Sequence, residues 1–265
     1  MEAVLNSLFG RKKKYKIGLI LSGGGVRGFA HAGILKALGE AGVHPDVISG
    51  VSAGAIVGAL YADGHSPDEM LELFSREKSF FRFAKLSVPR KGLFRTDGLK
   101  DNLAGSLSVK NFEDLKIPLY VAATNLSSGT VEYFNTGKIL DKVLASASIP
   151  VIFEPVEIDG KLYVDGGVMD NFPVTPLEGQ CQKLIGISLN TIKAVENPTN
   201  LFRIAERSFH LSVSANLEIK MDRCDAVFKM DELEDYGYLD FSTGTELFEL
   251  GYSKAKEEIR SGLLS

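Results

Sequence analysis

Three glycine-marked turns carry the residues of this chain that could do chemistry. Ser52 stands at the centre of Gly50-Val51-Ser52-Ala53-Gly54. In a G-x-S-x-G run the small neighbours let a strand turn sharply into a helix. The hydroxyl then stands exposed over the sheet edge, and the helix N-terminus beneath it favours developing negative charge. The same residues also suit a plain serine N-cap in a βα turn. Upstream lies Gly23-Gly24-Gly25-Val26-Arg27-Gly28. Successive N–H groups at a helix start face one point and favour an anion, either a phosphate or the oxyanion of an acyl-transfer intermediate. The third turn is Asp165-Gly166-Gly167, followed by Asn171 and Pro173. An aspartate there can approach another segment closely, or cap its own loop.

A nucleophilic serine needs a base. The histidines are His31, His44, His65 and His210. None falls in the late loop after a strand where an α/β-hydrolase triad places its imidazole. His210 comes late enough, but beside Glu206, Ser208 and Leu211 it reads as part of an ordinary helix face. If Ser52 is a nucleophile, a carboxylate is open to it as a direct base. No His, Asp, Glu or Cys cluster has metal-ligand spacing, so neither a metal nor another cofactor is expected. Cys181 and Cys224 belong to no C-x-x-C pattern and read as two reduced thiols.

The elements that must position these turns follow from the pattern. Lys16–Leu21 is a short apolar run that enters the first glycine turn, and reads as a buried strand. Phe29, Ile34, Leu35 and Leu38 recur at helical spacing, with Gly42 as a stop. Val47–Ser49 is a second strand, and the serine turn leads it into a helix over Ala55–Ala62. Ser66-Pro67-Asp68-Glu69 supplies an N-cap, a first-turn proline and a capping glutamate for a third helix. Leu119–Thr124 and Val131–Asn135 are β-rich, and Ile139–Ala147 is helical. Val156–Ile158 and Lys161–Val164 form a hairpin around Asp159-Gly160, a pair that favours positive φ. Lys183–Leu189 and Ala226–Lys229 are strands, Asn200–Lys220 a long helix, and Thr245–Arg260 a closing helix. Strands alternating with helices imply α/β with a mostly parallel sheet. Residues 1–14 read as a basic N-terminal segment, and 15–265 as a single catalytic domain.

With 265 residues, 45% hydrophobic and 24% charged, the composition is globular. A net charge of -4 excludes a uniformly basic nucleic-acid binder, and no nucleic acid is expected as partner. No apolar run is long enough to span a bilayer, and Arg11–Lys14 has no apolar stretch ahead of it as a secretory signal has. A cytoplasmic protein is the expectation.

Taken in order, the three turns are specific. A Gly-rich turn with Arg27, then G-x-S-x-G one βα unit later, then Asp-Gly-Gly over 100 residues on, resembles the patatin-like phospholipase family. Ala145-Ser146-Ala147-Ser148-Ile149-Pro150, with Phe153 and Pro155, is similar to the stretch before that family's acid. The resemblance covers about residues 15–190. It implies a three-layer α/β/α fold and a carboxylic ester hydrolase acting on lipid or other esters. It further implies a Ser–Asp dyad in which Ser52 attacks and Asp165 takes its proton. The oxyanion hole would be formed by Gly23, Gly24 and Gly25 with help from Arg27. Gly28, Gly50, Gly54, Gly166 and Gly167 support the motifs. Two positions depart from the commonest pattern, Ser22 for Asp or Gly and Gly167 for Ala. Neither is expected to touch a reacting atom.

Two other readings use the same residues. One is a dinucleotide-dependent oxidoreductase built on Gly23–Gly28. That fingerprint needs an acidic residue at the end of the next strand, and Asp46 precedes that strand. The other is a non-catalytic adaptor, which would have lost Ser52 or Asp165. Between Arg76 and Lys100 eight cations meet two acids, with Phe80, Phe81, Phe83 and Phe94 interleaved. This segment reads as a flap that contacts an anionic lipid surface, or as a solvated helix face.

Overall fold

The computed structural model describes residues 13–76, 97–190, 201–213, 217–238 and 240–264. The expected basic N-terminal segment, and the basic aromatic segment between Arg76 and Lys100, fall for the most part outside the described residues. In chain order the strands are β1 (Tyr15–Leu21), β2 (Val47–Val51), β3 (Leu119–Asn125), β4 (Thr130–Phe134), β5 (Val156–Ile158), β6 (Lys161–Asp165), β7 (Cys181–Ser188) and β8 (Ala226–Lys229). The helices are α1 (Gly28–Glu40), α2 (Ala53–Asp63), α3 (Pro67–Arg76), α4 (Asp97–Ser106), α5 (Ile139–Ser146), α6 (Leu201–Val213), α7 (Leu217–Met221) and α8 (Gly244–Arg260).

The strands form one sheet in the order β5-β6-β3-β2-β1-β7-β8, with β4 paired to β3. The run β3-β2-β1-β7-β8 is parallel, and β4, β5 and β6 pair antiparallel. A buried parallel strand needs apolar residues on both faces. β1 shows why: Leu19 and Leu21 join one hydrophobic cluster with α1, α2 and α8, while Ile20 joins another with Phe172, Leu217 and Met221. Helical layers therefore cover both faces, as the α/β/α expectation holds.

The pairing around β3 sets the site. β2 pairs with Leu119–Ala122 and β6 with Ala123–Asn125, while β4 pairs with Val121–Asn125. A strand has two edges, and β4 occupies one along both stretches. β2 and β6 must then share the other edge, where their C-terminal ends meet. Val51 lies opposite Ala122, and Asp165 lies opposite Ala123. The residue after Val51 is Ser52.

Several expected elements need adjusting. The serine turn is tighter than expected, since α2 begins at Ala53. The expected long helix over Asn200–Lys220 is described as α6 and α7, with 214–216 between them outside the described residues. α4 was not anticipated, because its sequence carries little apolar periodicity. The Ser66 capping box forms as read: Glu69 N–H donates to Ser66 Oγ at 3.2 Å and Ser66 N–H donates to Glu69 Oε2 at 2.8 Å. Asp159 and Gly160 both take positive φ in the hairpin.

Gly54 lets the start of α2 lie against the end of β1. A Cβ on Gly54 would meet the Leu21 carbonyl oxygen and stand 2.6 Å from that of Ser22. Alanine ordinarily favours a helix interior by about 1 kcal/mol over glycine. Backbone overlap reverses that sign here. Gly54→Ala is expected to lower stability by about 2 kcal/mol. In contrast, Gly105→Ala in α4 meets nothing within 4 Å and should raise it by about 0.5 kcal/mol. Urea denaturation of the two variants beside the native protein measures both.

Candidate active site

Ser52 occupies the N-cap position of α2 but does not cap it. Its φ is 53° and ψ is -122°, and its side chain makes no capping bond. A non-glycine residue at positive φ is strained by about 1–3 kcal/mol and is kept only where its surroundings fix it. The hydroxyl turns away from the helix and donates to Asp165 Oδ2 at 2.6 Å. In this the turn departs from an ordinary serine cap.

Asp165 is both of the things its turn allows. Its Oδ1 accepts the Gly167 N–H at 2.7 Å, capping its own loop, while Oδ2 accepts the Ser52 hydroxyl. Its backbone is pinned as well. The N–H donates to the Ser148 carbonyl at 2.9 Å, and the carbonyl accepts the Thr124 hydroxyl at 2.9 Å. Gly166 packs so closely on the Ala122 carbonyl that a Cβ would overlap it. Gly167 N–H bonds Asp165 Oδ1 and not the Oδ2 that holds the Ser52 hydroxyl. A Cβ there would stand 2.9 Å from Asp165 Oδ1, so glycine leaves that carboxylate uncrowded.

Asp165 is 1% exposed and faces no cation among its bonding partners. Burial pushes its carboxyl up to about 7, and the bonds from Ser52 and Gly167 only partly oppose this. A base that titrates near neutral pH is suited to proton transfer.

The first glycine turn lies beside the serine. A Cβ on Gly23 would stand 3.3 Å from Ser52 Cβ. Gly23 N–H points to the Asn171 carbonyl at 3.4 Å, and Val26 N–H to that of Tyr238 at 2.8 Å. Among the described residues the N–H groups of Gly24 and Gly25 meet no acceptor, and neither does that of Ala53 at the start of α2. Gly25 reaches its place through a φ of 58°. Ala53 is a donor that the sequence reading missed, although any residue following an elbow serine offers one.

Arg27 takes a different place from the one expected. Its guanidinium donates to the Tyr236 carbonyl at 2.8 Å and 3.0 Å and to the Leu189 carbonyl at 3.3 Å. It also lies 4.4 Å from the centre of the Tyr238 ring. Asn190 braces the same loop, donating to the Gly23 carbonyl at 2.7 Å and accepting the Tyr238 hydroxyl at 2.8 Å. Ser22 accepts the Leu189 N–H at 3.0 Å.

No imidazole bonds to Ser52 among the described residues. His31 is buried, with Nε2 2.9 Å from the Ser22 carbonyl, and burial holds its pKa down at about 4. His210 is not the ordinary helix face it resembled. It is buried, packs edge-on to Tyr238 at 4.8 Å, and is lowered to about 4 by burial, then by Arg27 and Arg207. Asp46, the candidate ribose-binding acid, accepts the Lys16 and Ile17 N–H groups at 2.9 and 2.8 Å at the start of β1. Among the described residues no group of three His, Cys, Asp or Glu could hold a metal. Cys181 and Cys224 are free.

An apolar cleft opens beside Ser52. Phe29, Ile56, Phe74, Leu99, Ile149 and Phe153 line it, together with Ser52 and Gly25. Among the described residues no helix is long and apolar enough to cross a membrane.

A serine at a strained turn and a buried aspartate meet at the C-terminal edge of an α/β/α sheet, beside an apolar cleft. The chain matches the family described as patatin-like phospholipase over residues 19–178, and it belongs to that family. Its sequence is 28% identical over 279 residues to lysophospholipase nte1 of Emericella nidulans, covering 92% of this chain and 18% of that protein. It is 30% identical over 275 residues to lysophospholipase nte1 of Aspergillus terreus, covering 91% of this chain and 18% of that protein. The chain thus spans less than a fifth of the length of these relatives. Its fold is similar to that of VipD from Legionella pneumophila, with a TM-score of 0.52 at 14% identity, covering 94% of this chain and 67% of that one.

A carboxyl that titrates near 7 when folded and near 3.8 when unfolded holds its proton only in the folded state between those values. Its contribution to stability is complete below about pH 4 and is lost as the pH rises through 7. Asp165→Asn removes that loss. The variant is expected to gain on the native protein between pH 4 and pH 8 by up to about 4 kcal/mol, since each pH step between the two titrations is worth about 1.4 kcal/mol. Chemical denaturation across that range measures it, and equal pH slopes would contradict the raised titration of Asp165.

Proposed function

We propose that this protein is a serine acyl hydrolase of lipid carboxylic esters. Ser52 is the nucleophile, Asp165 the general base, and Gly24 and Gly25 the core of the oxyanion hole. The observation that carries this reading is the 2.6 Å bond from the Ser52 hydroxyl to the buried Asp165, at an elbow beside an apolar cleft. Family membership and the lysophospholipase names of the relatives agree with it.

The geometry supports the following steps. Ser52 Oγ attacks the ester carbonyl carbon while its proton passes to Asp165 Oδ2. The carbonyl oxygen becomes an oxyanion and takes the unpaired N–H groups of Gly24 and Gly25, with that of Ala53 at the positive end of α2. The intermediate collapses, the C–O bond to the alcohol breaks, and the proton on Asp165 goes to the leaving oxygen. Water then gives a proton to Asp165 and attacks the acyl-enzyme. Ser52 leaves with that proton, and the carboxylic acid is released. No histidine takes part. Arg27 and Asn190 act at one remove by holding the glycine turn.

The cleft suits the acyl chain. Its lining is mostly apolar, and burying each CH₂ is worth about 0.8 kcal/mol, so binding favours a long chain over a short one. A single-chain lysophospholipid or a medium-chain ester fits this description. Contact of the Arg76–Lys100 segment with an anionic membrane surface belongs to the same proposal, resting on its composition alone.

Ser52→Ala should abolish labelling by a fluorophosphonate probe and lower turnover of p-nitrophenyl esters at least 1,000-fold, a typical cost of losing a nucleophile or its base. Asp165→Asn should lower turnover comparably. In the native protein kcat should rise through about pH 7 as Asp165 ionises. Ile56→Trp, which fills the cleft, should lose decanoyl ester hydrolysis about tenfold more than butyryl. Labelling that survives in Ser52→Ala would overturn the proposal.

A further inference from the structure

The strained elbow has an anchor outside the three motifs. Ser52 N–H, the amide of the residue at positive φ, donates to Ser146 Oγ at 2.9 Å. Ser146 ends α5 and is completely buried. No other acceptor is present for that amide among the described residues. The residues just after Ser146 reach the rest of the site. The Ser148 carbonyl accepts the Asp165 N–H at 2.9 Å, and Ala147, Ile149 and Phe153 line the apolar cleft. One segment therefore holds the amides of both dyad residues and forms a wall of the cleft. Ser146 itself does not line that cleft.

We infer that Ser146 is a positioning residue, whose hydroxyl oxygen holds the Ser52 amide so that Ser52 Oγ stays on Asp165. The inference rests on the Ser–Asp reading above. Without Ser146 Oγ a buried N–H is left unpaired, which costs more than an ordinary hydrogen bond is worth. The elbow can then relax toward an unstrained φ to find an acceptor, carrying the hydroxyl out of line. Displacements of this size at a nucleophile cost rate and not substrate affinity. The cleft wall is unchanged, so KM for a short ester should stay the same.

The test measures kcat and KM for p-nitrophenyl butyrate, and the rate of fluorophosphonate labelling, in full-length variants checked by circular dichroism. Ser146→Ala is expected to lower kcat and the labelling rate by about 10–100-fold with KM within twofold of native. Ser146→Thr, which keeps the oxygen, should recover most of kcat. Ser49→Ala controls for removing a buried serine hydroxyl, since Ser49 Oγ has no partner among the described residues. It should leave kcat within twofold. If Ser146→Ala does not fold, Ser146→Cys and Ser146→Thr decide: kcat must follow the oxygen, kept in one and lost in the other. Native-like kcat in Ser146→Ala or Ser146→Cys, with Ser52→Ala inert, overturns the positioning role and leaves the dyad standing. Labelling that persists in Ser52→Ala overturns the dyad instead.

Discussion

A carboxylate buried with no cation among its described bonding partners is the constraint on which this structure turns. Taking Asp165 out of water disfavours its charge, and the two hydrogen bonds it accepts do not restore what solvent supplied. Such a group is tolerable only if its surroundings cannot relax. Its N–H, its carbonyl and its two carboxylate oxygens are accordingly held by Ser148 just past α5, Thr124 of β3, Gly167 of its own loop and Ser52 at the elbow. The cost in stability and the basicity near neutral pH have one cause. Placing an arginine beside Asp165 would remove both together.

The same logic explains the crowding around the glycine turns. An oxyanion hole made of N–H groups requires backbone donors that are left unpaired in the resting protein. The loop 23–28 cannot satisfy itself, so other segments must hold it. Arg27 reaches the Tyr236 and Leu189 carbonyls, Val26 the Tyr238 carbonyl, and Asn190 the Gly23 carbonyl. All of these partners come from the last third of the chain. The loop gets much of its shape from residues far away in sequence, while the amides of Gly24 and Gly25 meet no acceptor among the described residues.

What could be read from the sequence divides along a physical line. β1, β2, the hairpin and the Ser66 capping box were legible because each is fixed by local spacing of apolar residues, turn pairs or caps. Ser52 and Asp165 stood out because a sharp turn demands glycines at fixed offsets. Ser146 was not legible as an anchor: its partner is 94 residues away, and a serine at a helix end carries no mark of what it holds. Arg27 was drawn to the oxyanion by its place in the glycine turn, but a long side chain can leave the loop that bears it, and this one does. His210 read as part of an ordinary helix face, because Glu206, Ser208 and Leu211 around it carry no sign of a special role. Only the packing of Tyr238 against it shows that it is buried. The end-to-end meeting of β2 and β6 could not be read either, because pairing register between distant strands leaves no local trace.

That meeting ties function to completeness of folding. Ser52 and Asp165 lie 113 residues apart, and both are placed by counting along one edge of β3. Slipping β6 by one residue moves the carboxylate about 3.4 Å and turns it to the opposite face of the sheet. On the proposed dyad, a chain with all its helices and most of its sheet, but with that one pairing in the wrong register, has no base beside its serine. Contacts this distant in sequence are among the slow ones to form. If the dyad acts as proposed, recovery of turnover on refolding is thus a clock for the antiparallel edge, ticking after circular dichroism has already reported a folded protein.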